Sequence, residues 1–155
     1  MNNKFQSLRD MVHKIEPTIF CVQETWGKNE ITDYSIMGYQ HPVIIARKGT
    51  MNAGGGVGIW VKDKTEFENL DSPFTEKQIE TQTILLSDLN LIIVNVYRPF
   101  GNCALFIEEF IAHITQLRTR FPTADCIVAG DFNIDLTQQT NKSDELVDNM
   151  ITLGF

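Results

Sequence analysis

The sequence predicts a mixed α/β domain, in which helices cover the faces of a mixed or antiparallel β-sheet. Two observations support this fold class. Strand-like segments occur in pairs joined by short turn-forming connections, as at 79–86 and 91–97, and such pairs are typical of hairpins. Segments with apolar residues at helical spacing lie before, between and after these runs. The predicted order is therefore helix, strand, a block of hairpins, helix, strand, helix.

The first third of the chain predicts a helix, a strand and a loop. Apolar residues recur every three or four positions until Pro17 ends the helical pattern, namely Phe5, Leu8, Val12 and Ile15. A wholly apolar run at 18–22 is too short for a helix and predicts a buried strand that delivers Glu24 at its tip. Turn-forming residues then dominate 26–40, which predicts a loop carrying the partly exposed Trp26.

A glycine-rich segment joins the strands of a predicted hairpin at 43–46 and 57–61. Four of the five residues at 54–58 are glycines, but the Lys and Ser/Thr of a nucleotide-binding loop are missing and a strand follows instead of a helix. A flexible hairpin or a close backbone contact explains these glycines better. Arg47 and Lys48 are either a solvated basic pair or a contact to nucleic-acid phosphates.

Two further helices flank the last predicted strand. Apolar residues on one helical face run up to Pro122 and predict the first of them: Phe106, Phe110, Ile114 and Leu117. The strand that follows carries Asp131 at its end. Ser143 is the predicted N-cap of the last helix, and Gly154 lies where a C-terminal cap is expected.

Composition predicts one intracellular domain over 1–155. A hydrophobic content of 43% is enough for a core in a chain of 155 residues. No apolar stretch is long enough to cross a bilayer, and Met1 leads into polar residues rather than the hydrophobic region of a signal peptide. Cys21 and Cys126 lie in apolar runs, and the cysteine count of three is odd. These features predict buried free thiols rather than disulfides or a zinc site.

The net charge of −7 argues against tight, nonspecific binding to nucleic acid, because backbone phosphates are normally met by a surplus of Lys and Arg. An enzyme that holds a divalent metal in a carboxylate pocket is an exception, since the metal supplies the positive charge. Charge alone therefore leaves a nucleic-acid partner open.

Polar side chains follow an abrupt glycine at the end of the last predicted strand. Asp131 and Asn133 are two residues apart, and in an extended strand such residues point to the same side. A carboxylate and an amide would then share one wall of a pocket. The same residues also suit a turn in which Asp and Asn side chains bond nearby backbone amides. The residues alone leave both interpretations open.

Two other predicted strands end in polar groups. Glu24, taken alone, is more typical of a strand that emerges into solvent. Asn95 and Tyr97 share one face of a third strand, and Arg98 follows where a proline forces the chain out of the sheet. Carboxylates, amides, a phenol and a guanidinium together are what metal-assisted phosphodiester cleavage needs. The conjunction predicts a hydrolytic site built from three strand ends.

Four motifs in this order resemble the endonuclease/exonuclease/phosphatase superfamily: Gln-Glu-Thr at 23–25, Gly-Gly-Val-Gly-Ile at 55–59, Asn-Val-Tyr-Arg-Pro at 95–99 and Gly-Asp-Phe-Asn at 130–133. The Tyr-Arg-Pro form, the glycine stretch and the opening residues 3–8 are most similar to the endonuclease domains of non-LTR retrotransposons, which are relatives of the apurinic/apyrimidinic endonucleases. The resemblance extends along nearly the whole chain.

The resemblance implies a four-layer α/β sandwich that cuts a phosphodiester of DNA with Mg²⁺ or Mn²⁺, in the nucleus. By position, Glu24 matches the catalytic glutamate that binds the metal, and Tyr97 matches the tyrosine that contacts the scissile phosphate. Asp131 matches the aspartate that activates or orients the attacking water. Asn133 matches its companion in the phosphate pocket, where Arg98 is expected to contact the substrate as well.

The chain also departs from the family pattern. Members begin with a strand that ends in a metal-site Asn and carry a Ser-Asp-His motif downstream, whereas this sequence ends at Phe155 and its last histidine is His113. We therefore expect 1–155 to be one incomplete domain that lacks the first strand and the C-terminal part, and its activity by itself stays open. A catalytically inactive scaffold or interaction module, and a phosphatase or phospholipase of the same fold, are the alternatives.

Overall fold

The computed structural model describes residues 2–26, 34–45, 54–75 and 78–155. Arg47 and Lys48, the predicted basic pair, lie outside the described residues. The described part contains three α-helices and eight strands: α1 (Asn2–Ile15), β1 (Ile19–Gln23), β2 (Val43–Ile45), β3 (Val57–Val61), β4 (Glu68–Leu70), β5 (Phe74–Thr75), β6 (Ile79–Leu86), β7 (Leu91–Tyr97), α2 (Cys103–Arg120), β8 (Asp125–Asp131) and α3 (Asn141–Thr152). No helix in these ranges is long and apolar enough to cross a membrane.

The strands form two sheets. The first has the order β1-β3-β2, and both of its pairings are antiparallel. The second has the order β4-β6-β7-β8, with β5 paired to β6. Its pairings are antiparallel except for β7 with β8, which run parallel because α2 carries the chain back across the sheet. The predicted hairpins β2–β3 and β6–β7 are confirmed.

The sheets pack face to face between helices, which gives the four layers of an α/β sandwich. Apolar side chains fill three interfaces. The first joins α1 to the outer face of the first sheet through Val12, Ile36 and Trp60. The second lies between the sheets and contains Ile59, Val61, Ile84, Leu86 and Ile93. The third lies between the second sheet and helices α2 and α3, and includes Val94, Val96, Phe106, Phe110 and Leu146. The predicted fold class is confirmed.

The ends of α3 show one wrong and one confirmed prediction. Thr140, not Ser143, is the N-cap: the Thr140 hydroxyl accepts the Ser143 amide, and the Ser143 hydroxyl accepts the Thr140 amide in return. Ser143 is thus the inner half of a capping box. At the other end Gly154 has φ of +84°, and the Phe155 amide bonds the Met150 carbonyl. This is the left-handed glycine cap predicted from the sequence.

The space between the sheets changes from apolar to polar along the strands. Near the start of β7 it is filled by aliphatic side chains. Near the end of β7 the buried inward-facing positions are Glu80, Gln82 and Asn95, because alternate residues of a strand face the same side. Buried polar groups need hydrogen-bond partners, which fix geometry more closely than packing alone. The polar end of the sandwich is also the end at which β1 terminates in Glu24.

Candidate functional site

Glu24 lies directly after β1 in a left-handed backbone conformation, with φ of +53° and an exposed side chain. The Tyr97 hydroxyl donates to Glu24 Oε1 at 2.6 Å, which joins the ends of the two sheets. Trp26 Nε1 lies 3.4 Å from Glu24 Oε2. Tyr97 itself is only 4% exposed, so a fixed phenol orients an accessible carboxylate. A hydrogen bond to an ionised acceptor is among the stronger kinds.

The glycine segment holds the chain beyond Glu24 in place. The amides of Thr25 and Trp26 bond the carbonyls of Gly56 and Gly55 at 3.2 and 2.9 Å. A Cβ on Gly54 would lie 3.2 Å from the Trp26 indole, so the ring packs directly over this glycine. The predicted close backbone contact is therefore present, and these glycines fix the two residues that follow Glu24.

Glu80 anchors that glycine segment, a role that the sequence reading missed. Its side chain is fully buried, and Glu80 Oε2 accepts the Gly56 amide at 2.6 Å. The available signal was the pair Glu80 and Gln82, which put a charged and an amide side chain at alternate positions of one face of a strand. Inward-facing polar residues in a buried strand indicate a hydrogen-bonding task, because an unpaired buried polar group is costly.

Asn95 lies on β7 two residues before Tyr97 and connects the two sheets. Its side chain is fully buried, and its amide nitrogen donates to the carbonyls of Val22 and Gly58 at 3.1 and 3.0 Å. Its Oδ1 accepts the Gln23 amide at 2.5 Å. The residue that precedes Glu24 is therefore tied to the strand that carries Tyr97, and this brace fixes the end of β1.

Asp131 lies beside Tyr97. The two residues are register partners in the parallel pair β7–β8, so their side chains lie on the same face of the sheet. The strands approach closely here: a Cβ on Gly130 would lie 1.8 Å from the Val96 carbonyl oxygen. Only glycine fits at this position. The abrupt glycine noted in the sequence thus lets β8 bring the exposed carboxylate of Asp131 next to Tyr97.

Asn133 is not in the strand, so the argument from strand alternation was wrong for this residue. The strand ends at Asp131, and Asn133 has φ of +48°. Its backbone amide donates to Asp131 Oδ1 at 2.9 Å. This bond forms the turn that the sequence allowed as the alternative to an extended strand. The Asn133 side-chain nitrogen donates to the Arg98 carbonyl at 2.7 Å. The turn orients Asp131, and Asn133 connects the segments that follow β7 and β8.

Arg98 supports the same junction from the other side. It is 8% exposed, and its guanidinium donates to the carbonyls of Phe132 and Asn133, both at 2.6 Å. A third, longer contact of 3.4 Å reaches the Gly101 carbonyl. The guanidinium that was predicted to contact the substrate is therefore bonded to backbone carbonyls, and its positive charge lies at the edge of the site.

The donor set of these strand ends suits a hard cation. Glu24 and Asp131 both present exposed carboxylates, and Mg²⁺ is typically held by one or two carboxylates, waters and substrate phosphate. Among the described residues no group of three or more His, Cys, Asp or Glu side chains is arranged to hold a metal. The residues present thus fit an open site for a divalent cation and do not fit a closed structural one.

Other titratable groups are buried away from these strand ends. His113 lies on α2, where its Nε2 contacts the Thr83 hydroxyl at 2.9 Å, and burial lowers the pKa of the imidazole to about 4. Burial raises the pKa of the Cys21 thiol to about 11 and also raises that of Cys126. The three cysteines are free, as predicted, but Cys21 and Cys126 are only partly buried. With their raised pKa values, the thiols of these two residues are protonated at neutral pH, which makes them poor nucleophiles.

The fold and the motif positions agree with a family comparison. Residues 1–150 match the family model described as the endonuclease/exonuclease/phosphatase family. The chain belongs to this family. Similar solved structures include an AP endonuclease from Archaeoglobus fulgidus, with a TM-score of 0.65, 18% identity, and coverage of 97% of this chain and 66% of the other.

Two further structures show the range of proteins that share this fold. The endonuclease domain of TRAS1, a telomere-specific non-LTR retrotransposon, has a TM-score of 0.58 and 18% identity, with coverage of 97% of this chain and 64% of that domain. A mannosyl-6-phosphatase of Bacteroides thetaiotaomicron has a TM-score of 0.61 and 16% identity, with coverage of 95% and 62%. The chain thus spans about two thirds of the length of each, and the likeness establishes the shared fold.

Proposed function

We propose that this chain is the DNA endonuclease domain, or part of the domain, of a retroelement-encoded protein. It would nick target DNA in the nucleus in a reaction that depends on Mg²⁺ or Mn²⁺. The observation that carries the proposal is the 2.6 Å bond from Tyr97 to Glu24, with Asp131 in register beside Tyr97. Three strand ends that are distant in sequence thereby present two carboxylates and a phenol at one edge of the sandwich.

Each residue has a role in phosphodiester hydrolysis. Glu24 would hold the divalent ion, and the ion, when bound, supplies positive charge that neutralises the reacting phosphate. Tyr97 orients Glu24 through its hydroxyl and closes the floor of the site. Asp131 would accept a hydrogen bond from the attacking water and hold it in line. Asn133 keeps Asp131 in position through its backbone amide. Arg98 adds positive charge beside the scissile phosphate.

Nicking of supercoiled plasmid tests this proposal. The protein should convert supercoiled to open-circular DNA with Mg²⁺ or Mn²⁺, and EDTA should stop the conversion. The Glu24→Gln and Asp131→Asn variants should each lose at least about a hundredfold in rate, as expected for groups that bind metal or position water. Glu145→Gln, which changes an exposed carboxylate on α3, is the matched control. Intact plasmid at every metal concentration, with no metal binding by calorimetry, would defeat the proposal for this chain.

The same assays separate the alternatives. The mannosyl-6-phosphatase with this fold makes a phosphomonoesterase the second candidate, and phosphate release from mannose 6-phosphate with no plasmid nicking would favour it. A catalytically inactive scaffold predicts neither reaction. In that case Glu24→Gln would leave metal binding, stability and any partner binding unchanged, because a glutamine side-chain oxygen can still accept the Tyr97 hydrogen bond.

A further inference from the structure

A cleft of about 280 Å³ adjoins the candidate site. Its walls come from the segment after β7, the segment after β8 and the start of α3, and they include Arg98, Phe100, Asn133, Asp135 and Lys142. Arg98 and Asn133 belong to both the cleft and the junction that positions Asp131. The cleft is near the lower end of the size range of small-ligand sites, so it suits one compact group rather than a long segment.

The cleft carries two cations. Arg98 is buried and donates to carbonyl oxygens, and Lys142 lies in the first turn of α3. Within the described residues neither side chain forms an ion pair with a carboxylate. A cation at a helix N-terminus is disfavoured by the helix dipole, so Lys142 contributes no evident stability. In a chain with net charge −7, this placement favours an anionic ligand.

Asp135 opposes those cations at the edge of the cleft. Its carboxylate accepts the Thr137 hydroxyl at 2.6 Å and the Thr137 amide at 2.9 Å. These bonds lower the pKa of Asp135, so the group is ionised at neutral pH. The cleft therefore carries two positive charges and one negative charge, and removing the negative charge should strengthen the binding of an anion.

Phe100 provides an apolar surface at the same place. Its side chain is 84% exposed, although the two residues before it are buried. A single exposed apolar residue is common on protein surfaces, so its position beside two cations is the informative point. An aromatic ring next to positive charge is the combination with which proteins bind single-stranded nucleic acid, by stacking on bases and contacting phosphates.

We propose that this cleft binds an unpaired nucleotide adjacent to the reacting phosphate of the cut DNA strand, with its phosphate at Lys142 and its base stacked on Phe100. The inference rests on the proposed function and names the contact that orients the substrate. Asn133 lines the cleft and also holds Asp131 in position. When the reacting phosphate of a DNA strand lies at Asp131, the neighbouring nucleotide of that strand therefore lies in the cleft. The assignment adds Phe100 and Lys142 to the substrate-binding residues.

Binding of a labelled single-stranded oligonucleotide, followed by fluorescence anisotropy in EDTA at low salt, tests the cleft without turnover. Phe100→Ala should raise the dissociation constant between about fivefold and a hundredfold. Phe100→Leu should raise it nearly as much, whereas Phe100→Trp should keep binding close to that of the wild type. Lys142→Ala should weaken binding and lower the salt slope by about 0.7. Asp135→Asn should strengthen binding. Leu89→Ala and Lys14→Ala, exposed residues elsewhere in the fold, are matched controls and should have no effect.

The outcomes distinguish this inference from the proposed nuclease activity. Glu24→Gln should abolish plasmid nicking without weakening the binding of the oligonucleotide in EDTA. Cleft-dependent oligonucleotide binding without nicking would support the cleft and count against the nuclease. Nicking with equal binding by wild type, Phe100→Ala and Lys142→Ala would overturn the cleft and leave the nuclease standing. Equal losses in the cleft variants and the two controls, or no oligonucleotide binding by the wild type at low salt, would overturn the inference as well.

Discussion

Replacement of Asn95 by leucine should destabilise the protein and disable the site together. Leucine keeps the volume of the side chain but removes the three hydrogen bonds that join Asn95 to Val22, Gly58 and Gln23. At a net value of about 1 kcal/mol each, the expected loss is about 3 kcal/mol of unfolding free energy. Burial of the leucine offsets little, because the Gln23 amide would lose its partner at a partly buried position.

Urea unfolding, followed by fluorescence of the buried Trp60, measures this loss. Asn69→Leu, on the exposed face of β4, is the control and should change the unfolding free energy by less than about 0.5 kcal/mol. Metal-dependent nicking by Asn95→Leu should also fall under conditions in which the variant is folded. Asn95 holds Gln23, and without this bond the adjacent Glu24 is less firmly positioned. A variant as stable as wild type, or one that loses stability but nicks DNA at the normal rate, would refute the assigned coupling between brace and site.

Three other changes test separate parts of the structure. Burial lowers the pKa of His113 from 6.5 to about 4, so the unfolded chain binds more protons and stability falls as the pH drops through 6.5. The loss should be about 2 kcal/mol between pH 7.5 and pH 5 in urea unfolding, and His113→Gln should remove most of it. Gly130→Ala drives a Cβ into the Val96 carbonyl and should cost about 3 kcal/mol by the same measurement, with loss of nicking even where the protein remains folded. Thr140→Ala removes the N-cap of α3 and should cost about 1 kcal/mol, seen as a drop of several degrees in thermal unfolding, while nicking is retained below the transition.

The sequence predicted the elements that carry a strong pattern. The helical spacing of α1 and α2 reflects one face of each helix buried against a sheet, and β6 and β7 are strand-like segments buried on both faces, so local sequence carries the signal. The short strands β4 and β5 were not predicted. Exposed positions and proline surround β4, and its pairing with β6 depends on the partner strand rather than on its own composition.

Polar groups at strand ends break an apolar pattern, and this signal singled out Glu24, Tyr97 and Asp131 in the sequence. The structure brings the three residues to one edge of the sandwich, while their roles in catalysis stay a prediction. The hydrogen bonds that support them were not predicted. The brace at Asn95 and the anchor at Glu80 act across 72 and 24 residues of sequence, and no local rule links such partners. The error at Asn133 has a local cause: strand alternation was applied beyond Asp131, where the Asn133 backbone amide bonds Asp131 Oδ1 and forms a turn.

The two ends of the sandwich should therefore respond differently to mutation. At the apolar end, aliphatic side chains such as Ile84 and Ile93 pack without directional bonds, so truncation there costs stability but leaves the distant strand ends aligned. At the polar end, the position of Glu24 depends on bonds made by Asn95, Tyr97 and the glycine segment. A hydrogen bond weakens steeply when its distance and angle change, whereas apolar packing adapts. Losses of activity that exceed losses of stability should therefore cluster at the polar end, which is where a metal-dependent reaction needs fixed carboxylates.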